Sequence, residues 1–214
     1  MSDWHCDVLG ARQQRALREL GPVLRRQGAY LAGGTAIALQ LGHRVSVDLD
    51  FFQSQPLDDA QQLVEELRSE HNGSIPFRSR QISERAIHGT VRDVKVLLMP
   101  YAYLRIRRVR RCPELNCDIA ALDDLAAMKL AAVCQRVSKK DYVDVWALME
   151  SGRTLRGMLT AYQRKFEVED VAHVLYRLAD FDDVDAQPLP RMRWKATWKQ
   201  MKESLGQALK SLRT

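Results

Sequence analysis

The chain has 214 residues, 46% of them hydrophobic and 28% charged. That balance excludes a disordered polyelectrolyte and allows a buried core in one domain or two small ones. The net charge of +6 favours polyanionic partners without naming one.

In chain order, residues 8–27 are rich in Leu, Arg, Gln and Ala and read as a helix stopped by Gly28. Gly21 and Pro22 are expected to divide or kink it. Residues 30–32 read as a short strand running into Gly33 and Gly34, and residues 35–41 as a helix ended by Gly42. Residues 46–52 alternate. Ser46, Asp48 and Asp50 share one face of the expected strand, with Val47, Leu49 and Phe51 on the other. Residues 57–70 carry one apolar stripe of helical period. Residues 75–103 contain strand-like stretches broken at Ser83-Glu84 and at Gly89, of which 91–99 is the clearest.

From Asp123 onward the pattern is helical. Asp123 is the expected cap of a helix over 124–136, and Ser138 of one running to about Glu150. Further helices are expected near 154–166, 168–178 and 195–212, with Pro188 and Pro190 breaking the stretch before the last. The fold class expected is α/β (α+β): a mixed-sheet core over 1–116, followed by an α-helical region over 117–214. The cysteines, Cys6, Cys112, Cys117 and Cys134, read as reduced thiols, because no second Cys/His pair completes a zinc set. No apolar run approaches the roughly 18–20 residues that span a bilayer, and the first residues lack a signal-peptide pattern. A cytoplasmic protein is expected.

The chemistry-bearing stretch is Gly33-Gly34-Thr35 followed, thirteen residues after Gly34, by Asp48-Leu49-Asp50-Phe51. Two glycines at a strand-to-helix turn let backbone N–H groups approach a phosphate. The helix that follows favours the anion through its N-terminal dipole. Asp48 and Asp50, two residues apart on a strand, point the same way with Cα atoms about 6.6 Å apart. Their carboxylates can converge on one or two Mg²⁺ ions (Mn²⁺ would serve equally) of the kind that assist phosphoryl transfer.

This joint pattern resembles the DNA polymerase β-type nucleotidyltransferases. The longer phrase resembles the AbiEii/AbiGii toxin branch: Gly33-Gly34-Thr35-Ala36, then Arg44-x-Ser46-x-Asp48-x-Asp50, then Phe51-Phe52. A second block agrees, with Leu125-Ala-Ala-Met-Lys129, then Arg136, then Lys139-Lys140-Asp141-x-x-Asp144. The resemblance implies a polymerase β-like core and a nucleoside triphosphate bound by Gly33, Gly34 and Thr35. It implies metal on Asp48 and Asp50, and Lys129, Lys140, Asp141 and Asp144 facing the nucleotide. Lys129 and Asp141 join Asp48 and Asp50 as expected catalytic residues, and Arg44 and Ser46 are expected either to bind the nucleotide or to orient the loop and the aspartates. It further implies a toxin with a cognate antitoxin protein and an RNA acceptor such as tRNA.

Local readings stand beside these. Ser138 with Asp141 is a capping-box-like pair. Asp144 suits a solvent-facing helix position, and Lys129 could snorkel from a core edge. Residues 105–111 hold five arginines, which either grip an RNA backbone or protect a solvated edge strand. One element of the resemblance is missing. The third carboxylate is expected at position 97, which is leucine. Asp93 shares that strand face by period two but lies about 13 Å away along an extended strand. A catalytically degenerate nucleotide- or partner-binding protein is therefore the alternative reading.

Overall fold

The computed structural model describes residues 3–73 and 75–212. Its strands are β1 (Tyr30–Leu31), β2 (Leu49–Gln53), β3 (Phe77–Ser83), β4 (Ala86–Val91), β5 (Val94–Pro100), β6 (Arg110–Cys112) and β7 (Cys117–Ile119). Its helices are α1 (Ala11–Arg26), α2 (Gly33–Leu41), α3 (Ala60–Gly73), α4 (Leu122–Gln135), α5 (Lys139–Glu150), α6 (Leu155–Phe166), α7 (Ala172–Ala179), α8 (Asp182–Asp185) and α9 (Trp198–Lys210). The strands form one sheet in the order β3-β4-β5-β2-β1-β7-β6. β2 runs parallel to β5 and β1 to β7, and the other neighbours are antiparallel. The sheet runs to Ile119, past residue 116.

One sheet face is apolar. Leu49, Phe51, Val94, Val96 and Leu98 are buried there by strict alternation, and α1 contacts β5 and β7. The alternate residues Asp50, Phe52, Lys95, Leu97 and Met99 share the opposite face. There α2 links β2 to α4 and α5, and α4 packs on α6 and α7.

Several boundaries differ from the sequence expectation for identifiable reasons. α1 runs unbroken through Pro22. A proline inside a helix costs roughly 3 kcal/mol. Leu17, Leu20, Val23 and Leu24 are all buried beside it, each contributing roughly 1.5–3 kcal/mol. The expected strand over 91–99 is cut at its start by a two-residue turn, Arg92-Asp93, both at positive φ (52° and 65°). Gly89 lies inside β4 rather than breaking it, against the Phe77 ring. Asp123 is not a cap. Ala121 is the N-cap of α4, and Asp123 and Asp124 sit in its first turn. Ser138 does occupy the N-cap of α5, but its side chain makes no capping bond.

The last helix offers a simple stability test. Gly206 lies inside α9, and a Cβ there meets nothing within 4 Å. Gly206→Ala should raise stability by about 0.5–1 kcal/mol through helix propensity alone. Thermal unfolding checks this, and a lowered melting temperature would show that the site is less open than it is drawn.

Candidate active site

The glycine turn is built around protein side chains. β1 ends at Leu31, and the Ala32 amide donates to the Asp50 carbonyl (2.8 Å), which lays Gly33 beside Asp50. Gly33 has φ +64°, and a Cβ there would lie 2.7 Å from Asp50 Oδ2. A Cβ on Gly34 would overlap Arg44 Nη2 and meet Asp144 Oδ2 at 3.1 Å. Both glycines therefore admit a charged group against the start of α2. The N-cap residue Ala32 makes no side-chain capping bond, and the first turn holds no acidic residue. The first backbone N–H groups of α2 are thus left without a side-chain cap at the positive end of the helix dipole.

Thr35 holds the aspartate loop. Its hydroxyl donates to the Asp48 carbonyl and accepts from the Ser46 hydroxyl (2.7 Å). Ser46 is buried for that reason, while Val47 is 57% exposed. Residues 46–48 are consequently irregular, and the strand begins only at Leu49. Asp48 remains near enough to Asp50 to act on its ionisation. Burial raises the Asp50 pKa first and the Asp48 charge adds to it, with Arg136, Lys129 and Lys140 opposing.

The position expected for a third carboxylate is defined by register. Leu97 stands directly opposite Asp50 across the β2–β5 pair. Asp93, by contrast, lies in the β4–β5 turn, where its exposed carboxylate pairs with Arg12 at 3.5 Å. It lies off the strand altogether, so the period-two placement does not apply to it.

Behind the aspartates lies a buried ion network. Asp144 accepts from Arg44 Nε (2.6 Å) and Nη2 (2.9 Å), from His43 Nε2 (2.8 Å), and from Lys129 Nζ (2.9 Å). Lys129 also donates to Asp141 (2.8 Å), which takes two further bonds from Arg136 (2.7 and 2.9 Å). Burial would raise the Asp144 pKa. The charges of Arg44 and Lys129, with the His43 and Arg44 bonds, overcome it and hold the group well below the usual range. Asp141 is held down in the same way by Arg136 and Lys129 against its burial. Burial lowers the His43 pKa, with the Asp144 hydrogen bond and charge opposing it.

These contacts replace the local readings of the helical block. Asp144 is fully buried rather than facing solvent, and Asp141 is engaged by cations rather than by a helix cap. Lys140 is exposed yet bears on Asp50. Two members are given no role by the sequence reading. His43 was masked by its place in an irregular loop. Arg136, with a side chain 54% exposed, reaches from Asp141 toward Asp50. Its occurrence in the Lys129…Asp141 block was the available signal.

The segment carrying Arg44 is also braced from the far end of the chain. Val45 N–H donates to the Arg191 carbonyl, while Arg193 and Trp194 N–H groups donate to that of His43. Arg44 forms an isolated antiparallel bridge with Met192.

Beside Asp50 opens a cleft of about 500 Å³, with Gly33, Leu97, Lys129 and Arg136 in its wall. Its rim is an aromatic run. Phe52, Tyr101, Tyr103 and Phe166 follow one another with ring centroids 4.9–5.0 Å apart, and Tyr103 is half-exposed. The 104–107 loop is pinned below it. Asp124 accepts from the Ile106 and Arg107 amides (2.9 Å each) and pairs with the buried Lys165 (2.8 Å).

The arginine run is largely engaged within the chain. Arg107 pairs with Asp123 and Arg111 with Asp118. Arg110 lies over Trp4, and Arg105 over Tyr30. Arg110 and Arg111 lie on β6, an edge of the sheet.

The sequence matches the family described as nucleotidyl transferase AbiEii toxin, type IV toxin–antitoxin system, over residues 15–112 and 106–212. The chain belongs to the AbiEii family. An uncharacterised protein of Aquifex aeolicus is 29% identical to this AbiEii member over 178 residues, spanning 82% of this chain and 84% of the relative. Among solved structures, JHP933 from Helicobacter pylori superposes with a TM-score of 0.57 at 16% identity. That match covers 93% of this chain and 89% of the other. The antibiotic-resistance factor ANT(2″)-Ia matches with a TM-score of 0.51 at 10% identity, over 70% of this chain and 89% of its own. At these identities the likeness shows the fold, that of the polymerase β-like nucleotidyltransferases.

The donor set of this AbiEii chain fits a divalent cation in part. Asp48 and Asp50 are hard oxygen donors that repel each other when both are ionised, and a cation between them relieves that repulsion. Among the described residues no cluster of three His, Cys, Asp or Glu side chains forms a complete metal site. The remaining ligands would have to come from substrate oxygens and water, as is usual for Mg²⁺.

Proposed function

We propose that the chain transfers a nucleotide from a Mg²⁺-bound nucleoside triphosphate to an acceptor hydroxyl. We place it in the cytoplasm as the toxin of a bacterial toxin–antitoxin or phage-defence system, held in check by a cognate antitoxin protein. The observation that carries the chemistry is the convergence of Asp50, the uncapped start of α2 and the cations Lys129 and Arg136 on one aromatic-rimmed cleft.

In this reading Asp48 and Asp50 would hold the metal, which would supply charge stabilisation at the phosphoryl oxygens. Gly33, Gly34 and Thr35 present backbone N–H groups to the phosphates. Lys129, Arg136 and Lys140 supply a fixed positive field around them. The aromatic rim stacks on the nucleobase. The acceptor oxygen bonds to the α-phosphorus as its bond to pyrophosphate breaks, and the hydroxyl proton leaves to water. Asp141 is engaged by Lys129 and Arg136, so it acts as a positioning residue. Arg44, Ser46 and Asp144 hold the loop and α2 in register.

Leu97 opposite Asp50 favours a second reading, a degenerate member that binds nucleotide without efficient transfer. One set of measurements addresses both. Mg²⁺ with a ribonucleoside triphosphate at about 100 times its Kd should stabilise the fold by about 2.7 kcal/mol. For a chain of this size that is roughly 5–10 °C in Tm. Either component alone should do less, and Asp48→Asn with Asp50→Asn should remove the joint effect. Calorimetry showing no Mg²⁺-dependent binding of any of the four ribonucleotides would overturn both readings. Labelled triphosphate becoming covalently attached to a component of a cell extract supports the first. Transfer gained only in Leu97→Asp supports the second.

A further inference from the structure

We propose that the buried ion pair of Asp124 and Lys165 positions the nucleobase of the triphosphate, by fixing the loop that holds Tyr103. This rests on the nucleotidyl-transfer reading above and assigns residues to its base subsite. The loop, residues 101–109, leaves β5 beside the cleft and enters β6 at Arg110. Among the described residues the backbone of 102–108 makes three hydrogen bonds, and all of them go to these two side chains. The Ile106 amide donates to Asp124 Oδ1 and the Arg107 amide to Oδ2, while the Leu104 carbonyl accepts from Lys165 Nζ at 2.7 Å. The loop has no helix or strand to order it, so its shape is what those bonds impose.

The pair serves geometry more than stability. Asp124 and Lys165 are 3% and 1% exposed. Taking two such charges out of water offsets most of their attraction, and apolar replacement of a buried pair is often neutral. What the ions supply here is directed donors and acceptors. Lys165 Nζ reaches Asp124 Oδ1 (2.8 Å), the Leu104 carbonyl and the Tyr101 ring, 5.4 Å from its centroid. An ammonium with three protons thus has three partners.

The rim follows from this. With Leu104, Ile106 and Arg107 tied down, Tyr103 is held at the cleft with half of its surface exposed. Its ring lies 4.9 Å from those of Tyr101 and Phe166, at 59° and 71°, so neither neighbour covers it by parallel stacking. A large ring left half in water beside a cleft, and backed by two others, is a platform for a flat aromatic ligand. The helices also set its distance from the phosphates. α4 carries Asp124 and, five residues later, Lys129, about 7.5 Å further along the axis. One helix thereby registers the rim against the cation assigned to the phosphates, and Phe166 follows Lys165 directly on α6.

Calorimetry on the full chain separates base from phosphates, using Mg²⁺ with each of the four ribonucleoside triphosphates and Mg²⁺ with inorganic tripolyphosphate. Wild type should bind its preferred ribonucleotide about tenfold tighter than tripolyphosphate, the contribution of one stacked base. Tyr103→Ala should reduce that preference to about threefold or less. Asp124→Asn with Lys165→Gln, which leaves no unpaired buried charge, should do the same, with tripolyphosphate affinity unchanged. Adding Tyr103→Ala to that pair should cause no further loss, because both act through one ring. Should the double variant fail to melt cooperatively, Lys165→Arg replaces it with the same expectation. A planar guanidinium keeps the charge but not the three directions of the ammonium. An unchanged preference in the double variant, an equal loss for both ligands, or additive losses in the triple variant would overturn the proposal. A wild type that binds tripolyphosphate as tightly as every ribonucleotide would overturn it too, and leave the metal–phosphate reading standing. Binding of neither ligand would refute that reading itself.

Discussion

Asp144→Asn should cost about 3–5 kcal/mol of stability at pH 7, the loss expected when one partner of a buried ion network is removed. Asp144 is fully buried and accepts from Arg44, His43 and Lys129. The neutral amide would leave the Arg44 guanidinium and half of the Lys129 interaction uncompensated in the interior. The pH dependence follows from the depressed pKa of Asp144 in the folded state. Its contribution is complete above the unfolded carboxylate value near 3.9 and is lost as pH falls below that. Wild type and variant should therefore differ fully at neutral pH and converge below about pH 4. Urea unfolding at several pH values measures both. A neutral-pH difference under about 1 kcal/mol would show that the network does not hold the site together.

Gly34→Ala should also destabilise, by about 2–4 kcal/mol, against the trend for a helical glycine. Propensity alone would favour alanine by up to about 1 kcal/mol. Here the added methyl overlaps Arg44 Nη2. Arg44 cannot swing aside, because it is buried and held by two bonds to Asp144 and one to the Val45 carbonyl. Displacing it adds overpacking to a broken ion pair. The Mg²⁺–triphosphate shift should vanish as well, since Gly34 stands in the first turn of α2. Thermal melts beside Gly206→Ala give a contrast of opposite sign. Two stabilising alanines would mean that the guanidinium is free to move.

The sequence was most readable where structure is local. The helix expected near 154–166 forms as α6, and Gly42 does end α2 in the left-handed region. The helical period of 139–150 and 155–166 needed nothing beyond the chain itself. Reading failed where a long-range contact overrode the pattern. Residues 46–48 look like an alternating strand, but Thr35 pulls the polar Ser46 inward. The Arg92-Asp93 turn carries no glycine or asparagine to announce it, and the apolar residues around it read as one strand. The two-aspartate signature and the glycine pair were visible. The reason for the second glycine was not, because the Arg44 side chain that fills its place is held by Asp144, a hundred residues away in sequence.

The brace on the aspartate loop has a consequence for how the protein is made. Arg191, Met192, Arg193 and Trp194 close backbone contacts onto residues 43–45, so the loop is secured by residues translated long after it. At 5–20 residues per second, a ribosome takes roughly 7–30 s to travel from Asp50 to Trp194. Through that interval the nascent chain carries both aspartates with Thr35 to hold their loop but without this brace. The pair therefore reaches its final setting only once residues 191–194 have left the ribosome, which postpones any chemistry it performs to that point.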